Sequence, residues 1–309
     1  MADSEPNGFF DLQLNGYAEV DFNADGLTGN RLHAACRRLQ ADGVSGVLAT
    51  IVTDDIEAMA GRLAALVAAR ETDELSRRII AGVHIEGPFL NETEGYRGAH
   101  LEGAIRPADA DAMKRLLEAA GGLARVVTLA PERDEGLKVT RMLADAGIVV
   151  SAGHCKATME QLIAALDAGL SMFTHLGNGC PAELPRHDNI IQRVLSLRGR
   201  LWIAFIADGH HIPTPALGNY LRAAGLDRTF IITDGTATSG SDLTYHQMGR
   251  WKVPLGPDRV AREPGGKYLL GSTATMRQCY ETLVEKVGLS DDDARRLTVG
   301  NPRKAVGLA

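Results

Sequence analysis

Short apolar segments with strand character recur along the chain, and helix-forming stretches rich in Ala, Leu, Arg and Glu separate them. The apolar segments predict strands over Phe9 to Leu14, Gly46 to Val52, Ile79 to Ile85, Arg125 to Leu129, Ile148 to Ala152, Met172 to Thr174, Leu201 to Ala207 and Thr229 to Thr233. Between them the pattern predicts helices over Leu32 to Ala41, Ile56 to Glu71, Ala108 to Ala120, Leu137 to Ala146, Met159 to Ala168 and Thr214 to Ala224. Eight such units in alternation suit a closed parallel (β/α)8 TIM-type barrel better than an open doubly wound sheet, and no Gly-x-Gly-x-x-Gly follows the first strand. No linker, internal repeat or low-complexity segment interrupts the alternation, so the expectation is one barrel domain over residues 1–309. The pattern changes between Gly235 and Gly271, where Gly and Pro gather around two short strand-like pieces. That stretch predicts a long loop or hairpin over the barrel mouth, before a closing helix near Thr273 to Lys286.

Length supports this picture, since 309 residues exceed the roughly 250 of a single barrel only modestly. Apolar residues at 45% and charged residues at 23% are ordinary for a globular chain. A net charge of -6 gives no basic footprint for nucleic acid, although an acidic whole can still hold one cationic pocket. No apolar run is long enough to span a membrane, and the start, Met1-Ala2-Asp3-Ser4-Glu5-Pro6, is acidic where a signal peptide would be basic. Cys36, Cys155, Cys180 and Cys279 show no short-range pairing. A cytoplasmic protein with free thiols is expected.

Polar residues fall at the strand ends. Strand one ends in Gln13-Leu14-Asn15-Gly16, strand three in Glu86, strand five in Gly153-His154, strand six in Thr174-His175, strand seven in Asp208-Gly209-His210-His211 and strand eight in Asp234. In a barrel these all share the rim that carries active sites. His154 and His175 lie one βα unit apart and therefore point from adjacent strands at a common centre. Two imidazoles and a carboxylate are the protein half of a catalytic zinc site with the fourth position open, and zinc lowers the pKa of bound water from about 16 to about 7. Asp234 is then placed to act as general base.

Each residue also has a plainer reading. A single strand-end histidine is usually a hydrogen-bonded structural residue, Glu86 alone could be a cap or a surface ion pair, and Asp234-Gly235 alone would be a turn. His84, two residues before Glu86 on the same strand face, either hydrogen-bonds a metal ligand from behind or is a structural histidine. Cys155 adjoins His154, but a thiolate there would close the open metal position, so a packing role is expected.

With these residues in place the chain resembles the amidohydrolase superfamily and, within it, the N-acetylglucosamine-6-phosphate deacetylase family. The matching stretches are Asp11-Leu12-Gln13-Leu14-Asn15-Gly16, His84-Ile85-Glu86-Gly87-Pro88-Phe89, Arg97-Gly98-Ala99-His100, Gly153-His154, Thr174-His175-Leu176 with Asn178, Ala207-Asp208-Gly209 with His211, Thr233-Asp234-Gly235 and Gly271-Ser272. The resemblance implies a distorted (β/α)8 barrel of the metal-dependent hydrolase kind, which deacetylates an N-acetylhexosamine 6-phosphate to the amino-sugar phosphate and acetate. It implies one divalent metal ion, expected to be zinc, on Glu86, His154 and His175. Gln13 and Asn15 stand where many superfamily members carry a His-x-His pair, so a second metal is not expected. Asp234 would serve as base and then acid, His100 would stabilise the oxyanion, and Asn178, Arg186, His211 and Gln13 would contact the amino-sugar phosphate. The corresponding arginine can come from a neighbouring subunit, which implies a homodimer. Set against the resemblance, the β-sandwich that usually flanks the barrel is expected to be largely missing, and Gly177 and Cys180 stand where the family tends to have larger residues. These departures leave the sugar open. A non-phosphorylated N-acyl or cyclic amide is the second enzymatic reading, separated by a missing phosphate requirement. A sugar-phosphate sensor without turnover is the non-enzymatic one.

Overall fold

The computed structural model describes residues 8–248 and 251–308; Met1 to Asn7, Gly249, Arg250 and Ala309 lie outside the described residues. Eight parallel strands form one sheet among the described residues: β1 Phe9–Leu14, β2 Val44–Val52, β3 Ile80–Glu86, β4 Ala124–Leu129, β5 Val149–Ala152, β6 Leu170–Phe173, β7 Trp202–Ile206 and β8 Thr229–Ile232. All eight match the expected segments to within two residues at either end, because each is a buried and largely apolar run. Sequential strands are neighbours throughout. Between β1 and β8 the barrel closes through a single bridge, Leu14 with Gly235, in place of a ladder.

The six expected helices are present as α1 Gly29–Ala41, α2 Ile56–Arg70, α4 Ala110–Ala119, α5 Lys138–Asp145, α6 Met159–Asp167 and α8 Thr214–Ala224. Local chemistry sets several starts. Asp55 accepts the Glu57 N–H at the head of α2, and Thr158 with Gln161 forms a reciprocal capping box at the head of α6. Four short α-helices were not anticipated: α3 Glu74–Ile79, capped by Asp73, α7 Ile190–Ser196, capped by Asn189, and, after the closing helix, Asp291–Arg295 and Asn301–Ala305.

The expected insertion after β8 is an antiparallel hairpin, β9 Tyr245–Met248 with β10 Trp251–Pro254. The closing helix begins at Met276, later than anticipated, and continues from Glu281 into a wider π-helical turn over Thr282–Val287. Apolar side chains sort into two main cores, beside a small third cluster of Val253, Ala261 and Leu270 under the hairpin segment. One joins outward strand faces to the helices, and a smaller one packs Phe10, Leu12, Val126, Met172 and Phe230 with Ala305 and Val306 from the end of the chain. Strand ends are thereby left as a fixed rim on which polar residues can converge.

Candidate active site

Glu86 is the last residue of β3, while His154, His175 and Asp234 each stand two residues beyond β5, β6 and β8. All three of the latter take left-handed backbone, with φ of 50, 31 and 50°. Such a conformation costs a non-glycine residue about 1–3 kcal/mol, so the surroundings must impose it. At His154 they can be named. Its carbonyl accepts the Asn91 N–H at 3.0 Å, and its Nδ1–H donates to the Tyr96 carbonyl at 2.7 Å. Its ring lies so close to two glycines that a Cβ on Gly179 would stand 2.9 Å from Nδ1 and one on Gly98 3.1 Å from Cε1.

With Nδ1 committed, His154 turns Nε2 inward. That atom lies 3.1 Å from His175 Nε2 and 3.5 Å from Glu86 Oε1, and His175 Nε2 lies 3.1 Å from the same oxygen. Three buried ligand atoms thus face one small volume. Two imidazole nitrogens and a carboxylate oxygen at this spacing need positive charge between them, and the N,N,O donor set fits a divalent metal. His100 comes from the loop after β3 and brings its Nε2 to 3.2 Å from His154 Nε2 and 3.9 Å from Glu86 Oε2.

The electrostatics follow from burial and from these contacts. Burial opposes ionisation of Glu86, yet the imidazoles of His154 and His175 set against it hold its carboxyl well below the usual range. Burial alone would lower His175, and the Glu86 carboxylate raises it. Burial, with His154 beside it, pushes His100 down to about 3, so its ring is neutral. Asp234 is raised, first by burial and then by the charge of Glu86.

Gln13 joins the two carboxylates. Its Nε2 donates to Glu86 Oε1 at 3.0 Å and to Asp234 Oδ1 at 3.2 Å, while Thr174 Oγ1 donates to its Oε1. β1 shifts register against β2 between Asp11 and Leu14, and this irregularity re-aims Gln13 into the site. Asn15 Nδ2 donates to the same Asp234 oxygen at 2.8 Å. His84 lies below. Its Nδ1–H donates to the Leu12 carbonyl at 3.1 Å, its Nε2 accepts the Thr128 hydroxyl at 2.8 Å, and burial lowers it to about 4. It is a neutral strand-to-strand tie and makes no hydrogen bond to Glu86.

Above this floor opens a cleft of about 1070 Å³, lined among others by Glu86, His100, His154, His175, Asn178, His211 and Asp234. The structure therefore brings together every sequence-derived candidate except Arg186, with Gln13 supporting the cluster from beneath instead of lining the cleft. Gln13 is buried among protein partners below the cleft, and Arg186 is exposed outside its wall. Sequence reasoning missed the clamp on His211, whose Nδ1–H donates at 2.6 Å to Asp208 Oδ2, an oxygen that also accepts the Ser272 hydroxyl at 3.1 Å. Burial opposes the charge on Asp208, but His211 holds its carboxyl far below the usual range. The Asp208-Gly209-His210-His211 run was visible; which of its members pair was not. Cys155 is buried and its thiol raised by burial, consistent with packing.

A (β/α)8 barrel carrying a Glu-His-His cluster and a facing aspartate on its C-terminal rim defines a metal-dependent hydrolase of the amidohydrolase kind. No family model matches the chain. Individual proteins do. N-acetylglucosamine-6-phosphate deacetylase of Bos taurus is 31% identical over 308 residues, covering 97% of this chain and 74% of that protein. N-acetylgalactosamine-6-phosphate deacetylase of a Shewanella strain is 31% identical over 301 residues, covering 97% and 73%. A mutant N-acetyl-D-glucosamine-6-phosphate deacetylase of Mycobacterium smegmatis, solved with N-acetyl-D-glucosamine-6-phosphate, superposes with a TM-score of 0.86 at 32% identity, over 97% of this chain and 77% of that one. The chain belongs to the N-acetylhexosamine-6-phosphate deacetylase family of the amidohydrolase superfamily.

Proposed function

We propose that this protein hydrolyses the acetamide of an N-acetylhexosamine 6-phosphate, releasing acetate and the amino-sugar phosphate, with one zinc ion on Glu86, His154 and His175. The observation that carries the reading is the convergence of those three ligand atoms beside Asp234 at the floor of the cleft, in a chain related to deacetylases of both sugar epimers. Zinc supplies the Lewis acidity that makes water a nucleophile at neutral pH. The chain's own residues do the rest. Asp234 takes the proton of the attacking water and returns it to the departing nitrogen, because an amine anion is too poor a leaving group to go unassisted. Gln13 and Asn15 both donate to Asp234 Oδ1, which leaves Oδ2 for the proton. His100, neutral and at the cluster, donates an N–H to the acetyl oxygen as charge develops there. Asn178 and His211 contact the sugar phosphate from the wall, His211 held in orientation by Asp208.

Arg186, exposed outside its own cleft, serves the cleft of a second copy, so the working form is a homodimer. Amine release from N-acetylglucosamine and N-acetylgalactosamine, each with and without a 6-phosphate, tests the function. Turnover of at least one phosphate and far slower turnover of both unphosphorylated sugars is expected. Equal rates without phosphate would replace this reading with a general N-acyl hydrolase. Sedimentation of the purified chain checks the dimer.

A further inference from the structure

We infer that Asp11 and Thr233 are positioning residues that clamp the β1/β8 seam and thereby aim Asp234. The inference rests on Asp234 being the base. Between β1 and β8 the described residues show no ladder: Leu14 bridges Gly235, and the Asn15 N–H donates to the Gly235 carbonyl at 2.7 Å. The bonds that a ladder would supply come from one buried carboxylate. Asp11 Oδ1 accepts the Thr233 N–H and the Gln13 N–H, each at 3.2 Å, and Oδ2 accepts the Thr233 hydroxyl. Thr233 Oγ1 in turn accepts the Gly235 N–H at 3.0 Å.

The residues on both sides of Asp234 are therefore tied to Asp11. Asp234 has the left-handed φ of 50°, uncommon for a non-glycine residue even though aspartate tolerates it better than most. Without the clamp its backbone can relax and swing the carboxylate. Asp11 also fixes the backbone of Gln13, whose amide is one of the two donors on Asp234 Oδ1. One carboxylate thus sets both the turn that carries the base and part of the hydrogen bonding that selects its free oxygen. Asp11 lines no part of the cleft and makes no hydrogen bond to Glu86, His154 or His175. Its influence reaches the site indirectly, through the turn that carries Asp234 and through Gln13.

The test compares Thr233→Val, Thr233→Ser, Asp11→Asn and Asp234→Asn in the zinc-loaded full chain. Valine keeps the shape of threonine and removes only the hydroxyl relay. Thr233→Val and Asp11→Asn are expected to lower kcat about 10- to 100-fold, as a modest misplacement of a catalytic group does. KM should stay within about threefold and bound zinc at the parent level, and Thr233→Ser should recover most of kcat, because it restores the hydroxyl. A purely structural role would lower the melting temperature and leave kcat of the folded fraction unchanged, which would overturn the inference. So would a loss that Thr233→Ser shares in full, or one carried by KM or by lost zinc. Should Thr233→Val not fold, Asp11→Asn carries the same expectation. An active Asp234→Asn enzyme would remove the base assignment itself. An inactive one beside a fully active Thr233→Val would remove only the clamp.

Discussion

Glu86, His154 and His175 stand on strands joined edge to edge by parallel ladders, whereas Asp234 stands at the seam, where side chains replace the ladder. On the ligand side the backbone register of β3 to β6 already places the three side chains around one centre. On the seam side Asp234, the proposed base, is held by Gln13 and Asn15, and the residue before it by Asp11. A metal needs ligands held at constant distance, and ladders provide that. A proton shuttle needs one oxygen occupied and the other free, and directed hydrogen bonds provide that. The two sides should therefore fail differently when broken.

The largest effect belongs to the ligand side. Glu86→Gln removes the anionic ligand, so metal content should fall from about one ion per chain toward about zero, with amine release falling to background. Metal analysis of the purified variant checks this, and a fully loaded, inactive variant would move Glu86 out of the ligand set. Gln13→Leu probes the junction of the two sides, since Gln13 touches both carboxylates. An outer contact of this kind is worth about 10- to 100-fold in activity or metal affinity. Steady-state kinetics with a metal-binding titration would show which side pays, and unchanged values in both would make Gln13 a spacer.

The smallest effect is one of pH on stability. Burial raises Asp11 from 3.8 to about 7 in the folded chain. As pH rises through that window the unfolded chain releases its proton first, so native stability falls, and above the folded value the effect is complete. Asp11→Asn removes this dependence. The difference in melting temperature, variant minus parent, should grow as pH rises from 3.8 to about 7. Parallel melting curves would show that Asp11 is ionised throughout.

The same contrast decides what could be read from the sequence. Glu86, His154, His175 and Asp234 were legible because each is a polar residue at or within two residues of the end of an apolar strand, and strand order alone puts such residues on one rim. Asp11 was legible only as part of a motif, because its partner Thr233 is 222 residues away and the gap in the ladder that needs it exists only once the barrel closes. Helix α7 was hidden by its length of seven residues and by the Pro, His and Asp that precede it. Arg186 shows a further limit: its side chain type suggests phosphate, but its loop leaves it outside the cleft of its own chain. The glycines against His154 were visible as glycines, while the ring they make room for was not.

The central claim is that one divalent metal on Glu86, His154 and His175 enables deacetylation with Asp234 as base. Its most direct test is to strip the protein with a chelator, return zinc in steps, and follow amine release from an N-acetylhexosamine 6-phosphate. The account predicts no activity in the stripped protein and a linear rise that breaks at about one equivalent per chain. Full activity without metal, or a break at about two equivalents, would contradict it.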